Sequence, residues 1–242
     1  MDLSRLEILI GQKNVELLQK STVAIIGLGG VGGICTESLV RCGIGKLYIC
    51  DGDKVEPSNL NRQIVATTTV IGKNKAITLK KRLIDINPDA KIITIDRNWT
   101  LENNFLKGIN VDFVVDAIDS VAEKIELIVF CKENNIKIIS AMGAGLRHHG
   151  NMFEVTDIFK TFNDPLAKKI RKMLKDRGVE SLDVVYSKEK PMKAQGTIGS
   201  VMYAVGASGL RISEHVVSSI ISNNSEVEEW NKKKLGKYYV RN

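Results

Sequence analysis

The chain contains no C-x-x-C pair, and its four cysteines, Cys35, Cys42, Cys50 and Cys131, fall in or beside apolar runs. A tetrahedral zinc site therefore has no ligand set, and a disulfide framework is not expected. Thiols used this way suit a reduced, cytoplasmic setting. No apolar span approaches the roughly 20 residues that a membrane helix needs. The opening MDLSRLEILIGQKN also lacks the basic start and long apolar core of a secretory signal. A soluble protein with no membrane partner is expected. There is no internal repeat and no low-complexity tract. Acidic residues are in the minority: the formal net charge is +7 at pH 7, which favours an anionic partner such as a nucleotide or RNA and says nothing about fold.

With 242 residues, 43% hydrophobic and only four prolines, the chain can bury one substantial core. β-Rich runs occur at residues 22–27, 46–51, 91–96, 112–118 and 136–141, with helix-like stretches between them. Near-continuous apolar strands alternating with helices predict an α/β fold, a doubly wound Rossmann-like, mostly parallel sheet over residues 20 to about 145. Beyond it, residues 163–177 and 198–221 read as helices, with a strand and an irregular crossover at 181–196 between them. The whole of 1–242 reads as one domain: a core at about 20–145 and a C-terminal helical and crossover extension at about 146–242.

Between the first strand and the next helix stands GLGGVG, in which Gly27, Gly29 and Gly32 spell G-x-G-x-x-G and Gly30 adds a further residue without a side chain. Such a loop lets phosphate approach the backbone and meet the unpaired N–H groups of a helix N-terminus. Asp51 follows about 20 residues later, where an NAD enzyme places its ribose-binding acid, so an NAD-dependent dehydrogenase stays open as an alternative at this point.

The stretch that follows the second strand, DGDKVEPSNLNRQ at 51–63, is richer than a dinucleotide site requires. Arg62 and then Lys75 can neutralise phosphate oxygens, and Asn59 can orient an oxygen by hydrogen bonds. Further on, VVDAIDS places Asp116 and Asp119 at another strand end. Magnesium takes one or two carboxylates plus phosphate oxygens, so Asp119 alone suffices as its ligand; Asp116 reads as structural.

Together, GLGGVG, the D-x-D-x-V-x-x-S-N-x-N-R-Q string, the lysine of GKNKA and DAIDS resemble the ThiF/MoeB-type adenylating enzymes, relatives of the ubiquitin-activating enzymes. The resemblance spans residues 5 to about 145. It implies an ATP-binding core with Mg2+, in which Asp51 holds the ribose of ATP and Asp53 joins the glycines as a nucleotide contact. Asn59, Arg62 and Lys75 would meet the phosphates and the reacting carboxylate, and Asp119 the magnesium. Arg5 matches an arginine that reaches into the other subunit's site, which implies a homodimer with Arg5 acting in trans.

After Cys131 there is no cysteine, so the C-terminal part has no nucleophile for a thioester or persulfide. Instead DAIDSVAEKIELIVFC, the GAG of 143–145 and NDPLAKKIRKMLKDRG resemble the tRNA threonylcarbamoyladenosine dehydratase branch. That resemblance implies ATP-dependent cyclisation of a modified adenosine in tRNA through an acyl adenylate. A sulfur-transfer partner protein stays open beside the tRNA substrate. The alternative within the family is an enzyme that adenylates the C-terminus of a ubiquitin-like sulfur-carrier protein. The 163–177 segment supports an RNA substrate on physical grounds. Leu166, Ile170, Met173 and Leu174 form an apolar stripe, Lys168, Lys169, Arg171, Lys172, Lys175 and Arg177 cover the remainder, and Asp164 before Pro165 suits an N-cap; the first five of these basic residues are the expected RNA contacts. RHHG at 147–150 reads as a loop within reach of substrate, and Lys232, Lys233, Lys234, Lys237 and Arg241 form a second basic cluster.

Overall fold

A computed structural model describes residues 1–193 and 196–222. Five strands fall where the apolar runs predict: β1 (Thr22–Ile26), β2 (Lys46–Cys50), β3 (Lys91–Ile95), β4 (Phe113–Asp116) and β5 (Ile138–Ala141). They are joined through α3 (Gly30–Arg41), α4 (Lys75–Ile86) and α5 (Val121–Glu133). Every residue of β4 and β5 is buried, because helices cover both faces of a parallel sheet and leave no solvent side to alternate toward.

The sheet does not stop at residue 145. β7 (Asp183–Ser187) pairs in parallel with β5, and β6 (Phe153–Asp157) pairs antiparallel with β7 at the edge, giving seven strands in the order β3-β2-β1-β4-β5-β7-β6. The extension is thus part of the core sheet. Two apolar cores flank it. One sets α3 and α7 (Met202–Ile221) against one face, the other α5 and α6 (Pro165–Asp176) against the opposite face. Two short helices precede the sheet, α1 (Ser4–Ile10) and α2 (Gln12–Lys20), and α1 buries no residue.

The expected helix at 163–177 is α6. The Asp164 side chain accepts the N–H of Ala167 at 3.0 Å and Pro165 occupies the first turn, which satisfies one of the free N–H groups at the helix start. Ala167, Ile170 and Leu174 are fully buried, with Leu166 and Met173 packed beside them. No helix among the described residues is long and apolar enough to cross a membrane. The second basic cluster, Lys232 to Arg241, lies outside the described residues.

Candidate functional site

The carboxyl ends of β1, β2 and β4 converge, as they must in an open parallel sheet whose order reverses between β1 and β4. Gly27 leaves β1 with φ +91°, and a side chain there would overlap the carbonyl oxygen of Ala117. Gly32, in the first turn of α3, faces the Gly27 carbonyl so closely that a Cβ would overlap it. These two glycines let strand, loop and helix close on one another, leaving the α3 N-terminus, begun by Gly29 and Gly30, open toward the loop.

Asp51 is buried just beyond β2 and ties the glycine loop down. Its Oδ2 accepts the Leu28 N–H at 2.7 Å and its Oδ1 the Asp53 N–H at 2.8 Å. Burial pushes the Asp51 carboxyl above its usual range, against the opposing pull of the Lys75 ammonium and the two backbone N–H groups. Asp53 is exposed and forms an ion pair with the buried Lys75, Nζ to Oδ2 2.8 Å. Lys75 begins α4, with Asn74 as N-cap accepting the Ile77 N–H at 3.1 Å. Its position at the helix start, rather than on the solvated lysine face that follows, is what brings it to the strand ends.

Asn59 and Arg62 lie on the adjoining loop, both already engaged. Asn59 Oδ1 accepts the Glu56 N–H at 3.1 Å, closing a short 3-10 turn over Pro57–Asn59. Arg62 Nη1 donates to Ser58 O at 2.7 Å and to Asn61 Oδ1 at 3.0 Å. Gln63, whose residue type alone signals no role, is buried beside Gly29, and its Oε1 has no hydrogen-bond partner among the described residues. Asp119 is exposed after β4, with no hydrogen bond or ion pair among the described residues. Gly27, Gly29, Gly30, Gly32, Asp51, Asp53, Asn59, Arg62, Lys75 and Asp119 are therefore gathered around one end of the sheet.

Arg5 is not among them. It lies on exposed α1, whose entry is held by the Met1 ammonium on Asp89 at 2.7 Å and by Leu3 packed on Gly43, both at the amino end of the strands. Arg5 thus sits at the opposite end of the sheet from the glycine loop.

The basic helix also divides. Lys168, Lys169, Lys172 and Lys175 are exposed. Arg171, grouped with them in the sequence as an RNA contact, is instead half-buried, its Nη1 donating to Ile158 O at 3.1 Å, to Thr161 O at 2.8 Å and to the Thr161 hydroxyl. The structure ties this guanidinium to the loop ahead of the helix because α6 turns that side toward residues 158–161.

Asp164 does more than cap α6: its Oδ2 accepts the Gly143 N–H at 3.1 Å and lies 3.6 Å from buried Arg147. In the RHHG loop, the backbone N–H groups of His148 and His149 both donate to the Glu189 carboxylate, and His148 Nδ1 meets the Tyr203 hydroxyl at 2.7 Å. The cysteines stand apart from this chemistry. Burial pushes the Cys50 and Cys131 thiols up to about 12, and Cys35 and Cys42 upward as well.

A parallel sheet with a glycine loop over a helix N-terminus at its switch point defines the class, a Rossmann-like α/β protein with a phosphate cradle. Within that class the chain belongs to the ThiF family, whose model matches residues 3–233. It is 37% identical over 191 residues to the tRNA threonylcarbamoyladenosine dehydratase of Bacillus subtilis, covering 78% of this chain and 75% of that one. It is 36% identical over 190 residues to the Escherichia coli protein of the same name, covering 75% and 71%. The crystal structure of the E. coli enzyme, TcdA, in complex with ATP superposes with a TM-score of 0.88 at 31% identity, covering 93% of this chain and 95% of that one.

Proposed function

We propose that this protein is an ATP-dependent dehydratase that cyclises threonylcarbamoyladenosine in tRNA, the activity for which its B. subtilis and E. coli relatives are named. The observation that carries the reading is a single arrangement: a phosphate cradle flanked by Asp51, Lys75 and Asp119, joined through Asp164 to a helix whose exposed face is lysine.

ATP lies with its phosphates at the α3 N-terminus. The unpaired N–H groups there, with Arg62 and Lys75, neutralise charge that grows on the phosphate oxygens. Asp51 holds the ribose through lone pairs not used by Leu28 and Asp53, while Asn59 orients the reacting carboxylate. Mg2+ fits the unpaired Asp119 carboxylate, and when bound it supplies further charge neutralisation to the phosphates. The threonyl carboxylate attacks the α-phosphate, pyrophosphate leaves, and an acyl adenylate results. The neighbouring carbamoyl group then captures the activated carbonyl, closing a ring and releasing AMP. This second step is intramolecular, so its effective molarity is high and no protein nucleophile enters. That suits a chain whose last cysteine, Cys131, has its thiol pushed up to about 12, and it asks for no sulfur-transfer partner.

Arg5 completes the site in trans within a homodimer. Its place at the far end of its own sheet supports this, as do Ile8 and Leu9, 81% and 61% exposed on the same helix. Lys168, Lys169, Lys172 and Lys175 contact the tRNA backbone, and the protein acts in the cytoplasm.

Incubation of threonylcarbamoyl-modified tRNA with protein, ATP and Mg2+ should yield, on nucleoside mass spectrometry, a product lighter by one water, together with AMP. Unchanged nucleoside alongside AMP formed only in the presence of a carrier protein would refute the RNA reading.

A further inference from the structure

The first aspartate of the DAIDS run lies under the candidate metal ligand and faces a lysine that the mechanism leaves unused. Asp116, the last residue of β4, and Lys124, in the first turn of α5, both have side chains with 0% exposure. Lys124 Nζ stands 2.7 Å from Asp116 Oδ2, 3.2 Å from Ser140 Oγ and 3.2 Å from Ala141 O, so each of its three protons has an acceptor. Ser140 Oγ donates to the same Asp116 oxygen at 2.5 Å. The other oxygen, Oδ1, accepts the Ile118 N–H at 3.0 Å and so fixes the turn that carries Asp119 out of the strand. Ala117, inside that turn, is the residue on which the glycine loop closes: a Cβ on Gly32 would lie 3.1 Å from its Cβ.

Burial alone gives no reason for a lysine here. The desolvation of two charges largely offsets their attraction, and apolar residues of similar volume commonly serve stability as well or better. We infer that Asp116, Lys124 and Ser140 form a positioning cluster for the adenylation site. Lys124 and Ser140 anchor one oxygen of Asp116, the other oxygen holds the 117–119 turn, and the turn sets the Asp119 carboxylate against the phosphates. Lys124 touches no ligand and acts through Asp116. The inference rests on the ATP-site reading proposed above.

The test compares ATP affinity in Mg2+ and in EDTA with the melting temperature of the ligand-free protein. Lys124→Met alone strands a buried carboxylate and should lower Tm by about 6 to 20 °C. In the double variant Asp116→Leu/Lys124→Met both charges are gone. Its Tm should return to within a few degrees of the parent and its ATP affinity in EDTA should stay close to the parent's, while the gain in affinity on adding Mg2+ falls by about tenfold. A merely structural pair would recover stability and the Mg2+ gain together, and that outcome would overturn the inference. Should the double variant not fold, Ser140→Ala keeps both charges and removes two hydrogen bonds of the cluster, the one donated to Asp116 Oδ2 and the one accepted from Lys124 Nζ. It should lower the Mg2+ gain and lower Tm by less than Lys124→Met does, and an unaltered gain would also overturn the proposal. A parent protein that binds no ATP defeats the site reading itself. A parent whose Mg2+ gain disappears in Asp119→Asn yet survives in the double variant defeats only the positioning role.

Discussion

Charge reversal on α6 separates an RNA-binding face from a solvated one. In Lys168→Glu/Lys172→Glu/Lys175→Glu, all three side chains are exposed and the buried stripe of Ala167, Ile170 and Leu174 is untouched. Exposed substitutions usually change stability by no more than about 0.5 kcal/mol each. A glutamate at 168, in the first turns, suits the positive end of the helix dipole, whereas one at 175, in the last turn, opposes the negative end, so these effects of about 0.3–1 kcal/mol nearly cancel. ATP affinity should therefore match the parent's. RNA binding should not. Each RNA phosphate that no longer meets a lysine takes about 0.7 to 0.9 off the slope of log K against log salt, or about 2.1 to 2.7 for three. Between about 50 and 200 mM salt the parent's tRNA affinity should thus fall some 20- to 40-fold more than the variant's. Filter binding across that range reads the slope directly. Arg171 provides the internal control. Arg171→Ala leaves Thr161 O without its donor, while Ile158 O keeps the Thr161 N–H and hydroxyl, and should cost about 1–3 kcal/mol of stability, with the salt slope unchanged. A folded triple variant with the parental slope would refute the assignment of the lysines, and a flattened slope in Arg171→Ala would refute the division of the helix.

Asp119→Asn is nearly isosteric at an exposed position, so Tm should stay within about 2 °C while Mg2+-dependent ATP turnover is lost; normal turnover would remove the metal assignment. Arg5→Ala and Arg62→Ala should each be nearly inactive and recover partial activity when mixed under conditions of demonstrated subunit exchange, because a mixed dimer holds one site with both arginines. Absence of recovery would argue against action in trans. Cys131→Ala should retain cyclisation, since burial pushes that thiol up to about 12, and iodoacetamide at neutral pH should leave the native protein active. Loss of activity in either experiment would place a thiol in the mechanism. Leu174→Ala, at a fully buried position, should destabilise by about 2–5 kcal/mol, read as a fall in Tm.

The strands β1 to β5 were legible because a parallel sheet buried on both faces writes itself as continuous apolar runs, and the α6 start because Asp-Pro is a local capping signal. The strand β6 was not. As an antiparallel edge strand it is only half-buried along Glu154–Asp157, and FEVTD resembles a loop. The phosphate cradle was readable since glycine spacing reflects backbone geometry directly. Lys124 was invisible for the converse reason: in AEKIEL a lysine reads as part of a solvated helix face, and only the pairing of β4 with β5 brings Asp116 and Ser140 around it. The ties of Arg171 were illegible for a similar reason, because a guanidinium bonded to carbonyls of the preceding loop has the same sequence signature as one awaiting phosphate. Action of Arg5 on a partner subunit is implied only by the resemblance and stays a proposal; its distance from the glycine loop of the same chain is a tertiary fact.

The carboxylate of Asp164 joins two machines. One oxygen starts α6 at Ala167, and the other holds Gly143 just beyond β5, with Arg147 behind. A helix rises about 1.5 Å per residue, so once its first turn is pinned to the sheet, the height of every lysine above the strand ends is set. With the lysines on tRNA phosphates as proposed, α6 works as a caliper: one jaw grips the backbone, the other is the adenylating centre, and Asp164 is the rivet. An adenosine reaches the α-phosphate only when its distance along the RNA from the gripped phosphates matches that fixed opening. Selection of the modified nucleotide would then be a measurement of length, made before any base is read.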